Sequence, residues 1–310
     1  MKIAFVFPGQ GSQSMGMLAR MATIYPLVKA TFAEASAVLD VDLWQLAQQG
    51  PEAELNKTEF AQPLLLAASV ALWRVWQAQN GTLPVVLAGH SLGEYSALVC
   101  ADALDFAVAI KLVRQRGQFM QQAVALGTGA MAAIIGLTAT RVQQICKQVA
   151  AGEVVVPANF NAPAQVVIAG HAKAVQRASE LAKVKGARKV VSLSVSVPSH
   201  CALMQPAADA LACVLQDVTV TLPHTPCINN VAVAIEYETP NIKTALVQQL
   251  TSPVRWVETV EKMIAMAITH VVECGPGRVL TGLNKRIDKN CHCATLNSPE
   301  TLTTLLRELA

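Results

Sequence analysis

Ser91 stands at the centre of Gly89-His90-Ser91-Leu92-Gly93, between the apolar run Val85-Val86-Leu87-Ala88 and the helix-like run Glu94-Tyr95-Ser96-Ala97-Leu98-Val99. Strand, sharp turn and helix in that order predict a nucleophile elbow, which holds a serine hydroxyl clear of the backbone at a helix N-terminus. The flanking glycines admit the tight turn without a side-chain clash. The chemistry expected is attack by Ser91 on an acyl carbonyl; the alternative is that the glycines serve only close packing of strand on helix.

A serine nucleophile needs a base, and among the six histidines His200 is best placed for it. It lies in Val197-Pro198-Ser199-His200-Cys201, and proline biases the residue before it to an extended conformation, which predicts a loop there. His90 adjoins Ser91 and cannot readily double back onto it; His171, His224, His270 and His292 read as structural or surface residues. Acyl transfer also needs two donors for the developing oxyanion. The elbow offers the Leu92 N–H, and the glycine-rich loop Phe7-Pro8-Gly9-Gln10-Gly11-Ser12-Gln13 offers a second, with Gln10 central. That loop lacks both the dinucleotide glycine spacing and the Lys-Ser/Thr ending of phosphate loops.

These groups need a scaffold, and 310 residues that are 53% hydrophobic can bury a substantial core. A net charge of +3 and few aromatic residues give no case for nucleic acid as a partner. The longest apolar run, 64–73, is interrupted by Ser69 and too short for a membrane span, so it reads as a buried helix. Five apolar residues before Pro8 are too few for a secretory signal, and a cytoplasmic protein with no membrane partner is expected. The eight cysteines are scattered as for reduced thiols, and Cys291-His292-Cys293 lacks a second ligand pair, so no metal site is expected. Basic residues gather at Lys173, Arg177, Lys183, Lys185, Arg188 and Lys189, and again at Arg278, Lys285, Arg286 and Lys289. They read as solvated faces or as patches that steer an acidic partner.

Periodicity predicts a strand at 3–7, helices at 26–39 and 62–79, the elbow strand at 85–88 and a helix at 106–122. From 127 to 196 the order becomes strand 130–135, helix 139–150, strand 154–158, strand 165–169, helix 171–185 and strand 189–195, a βαββαβ run. Helix 205–215, strand 227–231, helix 257–267 and strand 270–274 follow. The fold class is α/β: a large α/β-hydrolase-like subdomain with a parallel sheet (1–126 and 198–310), interrupted by a small ferredoxin-like subdomain (127–197). A cleft is expected at their junction.

Taken together, Phe7-Pro8-Gly9-Gln10-Gly11-Ser12-Gln13, Gly89-His90-Ser91-Leu92-Gly93-Glu94-Tyr95, Arg116-Gly117, Pro198-Ser199-His200 and Gly275-Pro276-Gly277 resemble the malonyl-CoA:acyl carrier protein transacylases of bacterial fatty-acid synthesis over essentially the whole chain. The resemblance implies ping-pong acyl transfer: Ser91 takes malonyl from malonyl-CoA with His200 as base and the Gln10 and Leu92 N–H groups as oxyanion donors. It further implies that a main-chain carbonyl at Gln249, and no carboxylate, orients His200. Arg116 would pair with the malonyl carboxylate. The substrates would be malonyl-CoA and phosphopantetheinylated acyl carrier protein, with no bound cofactor.

The tetrapeptide Val197-Pro198-Ser199-His200 follows the stand-alone bacterial pattern, which favours malonyl over methylmalonyl. Lys183, Lys185, Arg188, Lys189, Lys285 and Arg286 are candidate carrier-protein docking residues on a monomer. Alternatives are an acyltransferase loading a polyketide-synthase carrier protein, a serine thioesterase of related fold, or a noncatalytic docking module.

Overall fold

The computed structural model describes residues 1–193 and 197–310. Strand β1 (Ile3–Phe7) is wholly buried, with Ile3, Phe5 and Phe7 in one apolar cluster and Ala4 and Val6 in another. That alternation puts a hydrophobic layer on each face of the sheet, which is what a parallel sheet covered by helices on both sides requires.

Around β1 the chain builds a parallel sheet, adding β2 (Val86–Gly89), β7 (Cys227–Ile228), β8 (His270–Cys274) and β9 (His292–Leu296) in the order β7-β2-β1-β8-β9. Helix Thr58–Ala78 covers one face with an almost continuous buried surface, and helix Trp256–Ala265 covers the other through Trp256, Val260 and Met263. No helix of the described residues is long and apolar enough to cross a membrane.

A second, antiparallel sheet comes from β3 (Gly129–Ile135), β4 (Val155–Ala162), β5 (Gln165–His171) and β6 (Lys189–Ser192), ordered β4-β5-β3-β6. Helices Ala139–Val149 and Ala172–Val184 pack on one face, completing the βαββαβ arrangement. The strand expected over 189–195 is seen to Ser192; residues 194–196 lie outside the described residues. The two sheets are tied where Val254, on the loop before helix Trp256–Ala265, bonds Ala158 and Phe160 of β4.

Several elements differ in extent from the sequence reading. Helix Thr58–Ala78 begins four residues earlier than expected, with Pro63 in its second turn. Strand β4 continues to Ala162 because it turns back on β5 through Pro163 and Ala164, the latter at a φ of 58°. Strand β7 is two residues long because beyond Ile228 the backbone leaves the ladder: the Asn229 N–H bonds the Ala234 carbonyl and the Asn230 N–H bonds Glu94.

Candidate active site

The elbow forms because two stretches of backbone come too close for any side chain between them. A Cβ on Gly89 would lie 1.8 Å from the Gly93 carbonyl carbon, and one on Gly93 would lie 2.0 Å from the Phe7 carbonyl oxygen. The turn leaves Ser91 at a φ of 52°, in the left-handed region. A non-glycine residue held there stores about 1–3 kcal/mol of strain, which its surroundings must over-determine.

Asn230 supplies that constraint. Its Oδ1 accepts the Ser91 N–H at 2.7 Å and its Nδ2 donates to the Gly89 carbonyl at 2.6 Å, so one side chain grips the elbow on both sides of the nucleophile.

His200 completes a reacting pair. Its Nε2 lies 2.9 Å from Ser91 Oγ, and its Nδ1 lies 2.8 Å from the main-chain oxygen of Gln249. A carbonyl oxygen can only accept, so Nδ1 carries the hydrogen and Nε2 presents a lone pair to the serine hydroxyl. Burial, reinforced by the Arg116 guanidinium, pushes the His200 pKa down to about 3, so the ring is neutral across the physiological range. His200 itself has a φ of 63°, so both members of the pair are held in left-handed backbone.

Arg116 comes from helix Phe106–Gln122 and is 1% exposed. Its Nη1 donates to Gln62 Oε1 at 2.8 Å; its Nη2 donates to Gln249 Oε1 at 2.9 Å and to Ser91 Oγ at 3.3 Å. The partners are neutral oxygens, so the guanidinium keeps its positive charge available beside the nucleophile. A buried cation of this kind can pair bidentately with a carboxylate.

Gln10 and Leu92 line the same cavity of about 100 Å3 as Ser91, Arg116 and His200. Leu92 directly precedes helix Gly93–Cys100, whose first N–H groups, those of Gly93, Glu94 and Tyr95, bond the carbonyls of His90, Ser91 and Leu92. The Gln10 loop approaches closely: a Cβ on Gly9 would lie 2.5 Å from the His90 carbonyl oxygen. His90 Nε2 is 2.8 Å from Asn161 Oδ1 of β4, so a residue of the smaller sheet touches the elbow itself. A larger concavity, about 580 Å3 and walled by Trp73, Arg74 and Phe106, brings no nucleophile and base together.

The six basic docking candidates are all exposed. Lys189 pairs with Ile135 across β3, Ile135 pairs with Gln165 across β5, and Arg286 bonds Gln165. One row of the antiparallel sheet therefore brings the two basic segments to within about 10 Å, two strand spacings. Lys183 and Lys185 end the helix that precedes this strand, and Lys285 adjoins Arg286.

Sequence reasoning did not assign Asn230, Gln62, Asn161 or the side chain of Glu94. Glu94 carried a signal: it is the one charged residue in the otherwise apolar helix Gly93–Cys100. Asn230 carried less, being one of two asparagines after the apolar end of β7.

A parallel α/β sheet with a serine elbow, interrupted by an antiparallel βαββαβ unit, defines an acyl transferase domain, and the model of the acyl transferase domain family matches residues 4–300. The malonyl CoA-acyl carrier protein transacylase of Salmonella typhimurium is 56% identical over 307 residues, covering 99% of each chain. That of Escherichia coli K12 is 57% identical over 305 residues, covering 98% of this chain and 99% of its own. Among solved structures, the acyl carrier protein S-malonyltransferase of Vibrio cholerae superposes with a TM-score of 0.96 at 57% identity, covering 98% of this chain and 100% of its own. A malonyl-transacylase solved in complex with its type II PKS acyl-carrier protein gives 0.98 at 56% identity, covering 99% of this chain and 100% of its own. The chain belongs to the malonyl CoA-acyl carrier protein transacylases.

Proposed function

We propose that this chain transfers the malonyl group of malonyl-CoA to the phosphopantetheine thiol of acyl carrier protein, through a malonyl-Ser91 intermediate, in fatty-acid synthesis. The observation that carries the reading is the continuous line from the Gln249 carbonyl through His200 to Ser91 Oγ, with the Arg116 guanidinium 3.3 Å from the same oxygen.

In the first half-reaction Ser91 Oγ attacks the thioester carbonyl while His200 Nε2 takes the hydroxyl proton. The Leu92 and Gln10 N–H groups face the oxyanion. Removing one such donor commonly costs about 3 kcal/mol. The carbon–sulfur bond then breaks, and CoA leaves as its thiol with the proton from Nε2. The malonyl carboxylate rests against Arg116.

In the second half-reaction the carrier-protein thiol attacks malonyl-Ser91. His200 takes the sulfur-bound proton and returns it to Oγ as the carbon–oxygen bond breaks. Each proton taken is given back, so the cycle runs through one base without a resident cofactor or metal. A monomeric enzyme is proposed.

Lys183, Lys185, Arg188, Lys189, Lys285 and Arg286 form the proposed landing surface for the carrier protein. The proposed compartment is the cytoplasm.

One neighbour, 56% identical and of nearly the same fold, was solved with a type II PKS acyl-carrier protein, which makes loading of such a carrier the second reading. The two share every chemical step and differ in the partner. Initial rates with each class of phosphopantetheinylated carrier protein at varied malonyl-CoA test both. Parallel double-reciprocal lines with malonylated carrier as product support the proposal. Free malonate as the main product would turn the reading to a thioesterase.

A further inference from the structure

Glu94 is 4% exposed, yet it is a carboxylate in a helix whose other residues are neutral. Its Oε2 accepts the Gln249 side-chain Nε2 at 2.7 Å and the Asn230 backbone N–H at 3.0 Å. The Gln249 Nε2 also donates to the Ser91 carbonyl oxygen at 3.1 Å. The same amide then delivers its Oε1 to Arg116 Nη2 at 2.9 Å.

A glutamine amide is nearly symmetric in shape, and its surroundings decide which end carries the oxygen. Here two acceptors face the same end of the amide, Glu94 Oε2 at 2.7 Å and the Ser91 carbonyl oxygen at 3.1 Å, and Glu94 makes the shorter, charged contact. When ionised, this carboxylate accepts and cannot donate, so it admits only the NH2 end of Gln249. Were the amide reversed, NH2 would face Arg116 Nη2, two donors would oppose each other, and the guanidinium would turn from its present direction. Gln62 Oε1 holds the other terminal nitrogen at 2.8 Å, so the plane of the guanidinium is defined by two amide oxygens, one of which is placed by Glu94.

We infer that Glu94 is a positioning residue for substrate selection: by locking the side-chain amide of Gln249 it aims Arg116 at the acyl carboxylate. This rests on the malonyl-transfer reading above. Burial raises the Glu94 pKa to about 7, so the carboxylate form that locks the amide dominates above that pH; the bond from Gln249 is the strongest of the influences that oppose the rise, ahead of the Asn230 N–H and the Arg116 charge. Carboxyl and amide are thus coupled from both sides. The role differs from that of the Gln249 main chain, whose carbonyl serves His200 and is unaffected by which way the side-chain amide points.

The test is Glu94→Gln, which keeps size and an acceptor for Asn230 but can present NH2 to Gln249. Labelling rates of Ser91 by malonyl-CoA and acetyl-CoA are compared by intact mass. Expected is a fall in the malonyl-to-acetyl rate ratio of roughly 10- to 100-fold, the worth of a misdirected hydrogen bond to a charged group. Equal loss with both donors, tracking a loss of thermal stability, would overturn the inference and leave Glu94 a structural residue.

Gln249→Met removes the amide, and the double variant Glu94→Gln/Gln249→Met should then be no less selective than Gln249→Met alone. Additive losses would overturn action through the amide. Should Glu94→Gln not fold, Glu94→Asp, which keeps the acceptor on a shorter stem, is expected to show a partial loss of the ratio; an unchanged ratio would contradict the proposal. Wild type labelled by malonyl-CoA while Glu94→Gln retains full selectivity would refute the role of Glu94 alone. No malonyl adduct on wild type would refute the underlying function.

Discussion

His200 Nδ1 lies 2.8 Å from the main-chain oxygen of Gln249, and no side-chain carboxylate is needed to set the tautomer of the base. A main-chain acceptor has a physical consequence. It orients the ring as an aspartate would, but it brings no negative charge to hold a proton on the imidazole. Burial and the nearby Arg116 charge then prevail, and the His200 pKa falls to about 3.

The pH profile follows from that sign. A base is active above its pKa, and here the pKa is depressed, so activity is lost only as pH falls toward the folded value. Acylation of Ser91 by an activated neutral ester, followed in single turnover, is expected to stay within about twofold between pH 7.5 and 5, beyond what the ordinary histidine pKa near 6.5 would allow. A half-loss near pH 6.5 would show an unperturbed histidine at work.

Arg116 is expected to separate acyl donors. Arg116→Met should slow labelling by malonyl-CoA about 10²- to 10⁴-fold, the range for removing one partner of a buried charge pair, and slow acetyl-CoA labelling far less. Arg116→Lys should fall between, because an ammonium cannot reproduce the planar fork that meets Gln62, Gln249 and a carboxylate together. Equal slowing with both donors would contradict the carboxylate role.

Asn230 should be worth more than its distance along the chain from the elbow suggests. Asn230→Ala leaves the partly buried Ser91 N–H and the buried Gly89 carbonyl without their partner, and about 2–4 kcal/mol of stability is expected to go with them. Thermal or denaturant unfolding measures the loss, and the labelling rate of Ser91 should drop in the same variant. Unchanged stability would mean that the strained φ of Ser91 is held by the surrounding backbone alone.

The docking surface is tested by charge reversal at its two ends. Lys189→Glu with Arg286→Glu is expected to raise the carrier-protein KM about three- to tenfold at low salt, an effect that shrinks as salt screens it, while the malonyl-CoA half-reaction is unaltered. Loss of both half-reactions together would place these residues in the fold and not on the landing surface.

How much of this was legible in the sequence depends on whether a role is carried by a residue type or by a position in space. Ser91 was legible because glycines on both sides and an apolar run before it have one common structural meaning. His200 was legible because Pro198 marks a loop where the chain returns from the smaller sheet to the larger one. The Gln249 main-chain oxygen could not be read from residue chemistry, since every residue has one; it came only through family resemblance. Its side chain, Asn230 and Glu94 form a network whose members lie 136 to 158 residues from their partners, a separation that local pattern does not span. The short β7 and the long β4 were misjudged for a related reason, because strand length follows the available neighbours as well as apolar runs.

The central claim is that Ser91 carries malonyl between two thiols. Intact-mass spectrometry of wild type and Ser91→Ala after brief exposure to malonyl-CoA, with acetyl-CoA in parallel, tests it most directly. A malonyl adduct is expected on wild type, with far less acetyl adduct, and neither on Ser91→Ala. Full labelling of Ser91→Ala would move the nucleophile elsewhere, and equal labelling of wild type by the two donors would remove Arg116 as the basis of selection.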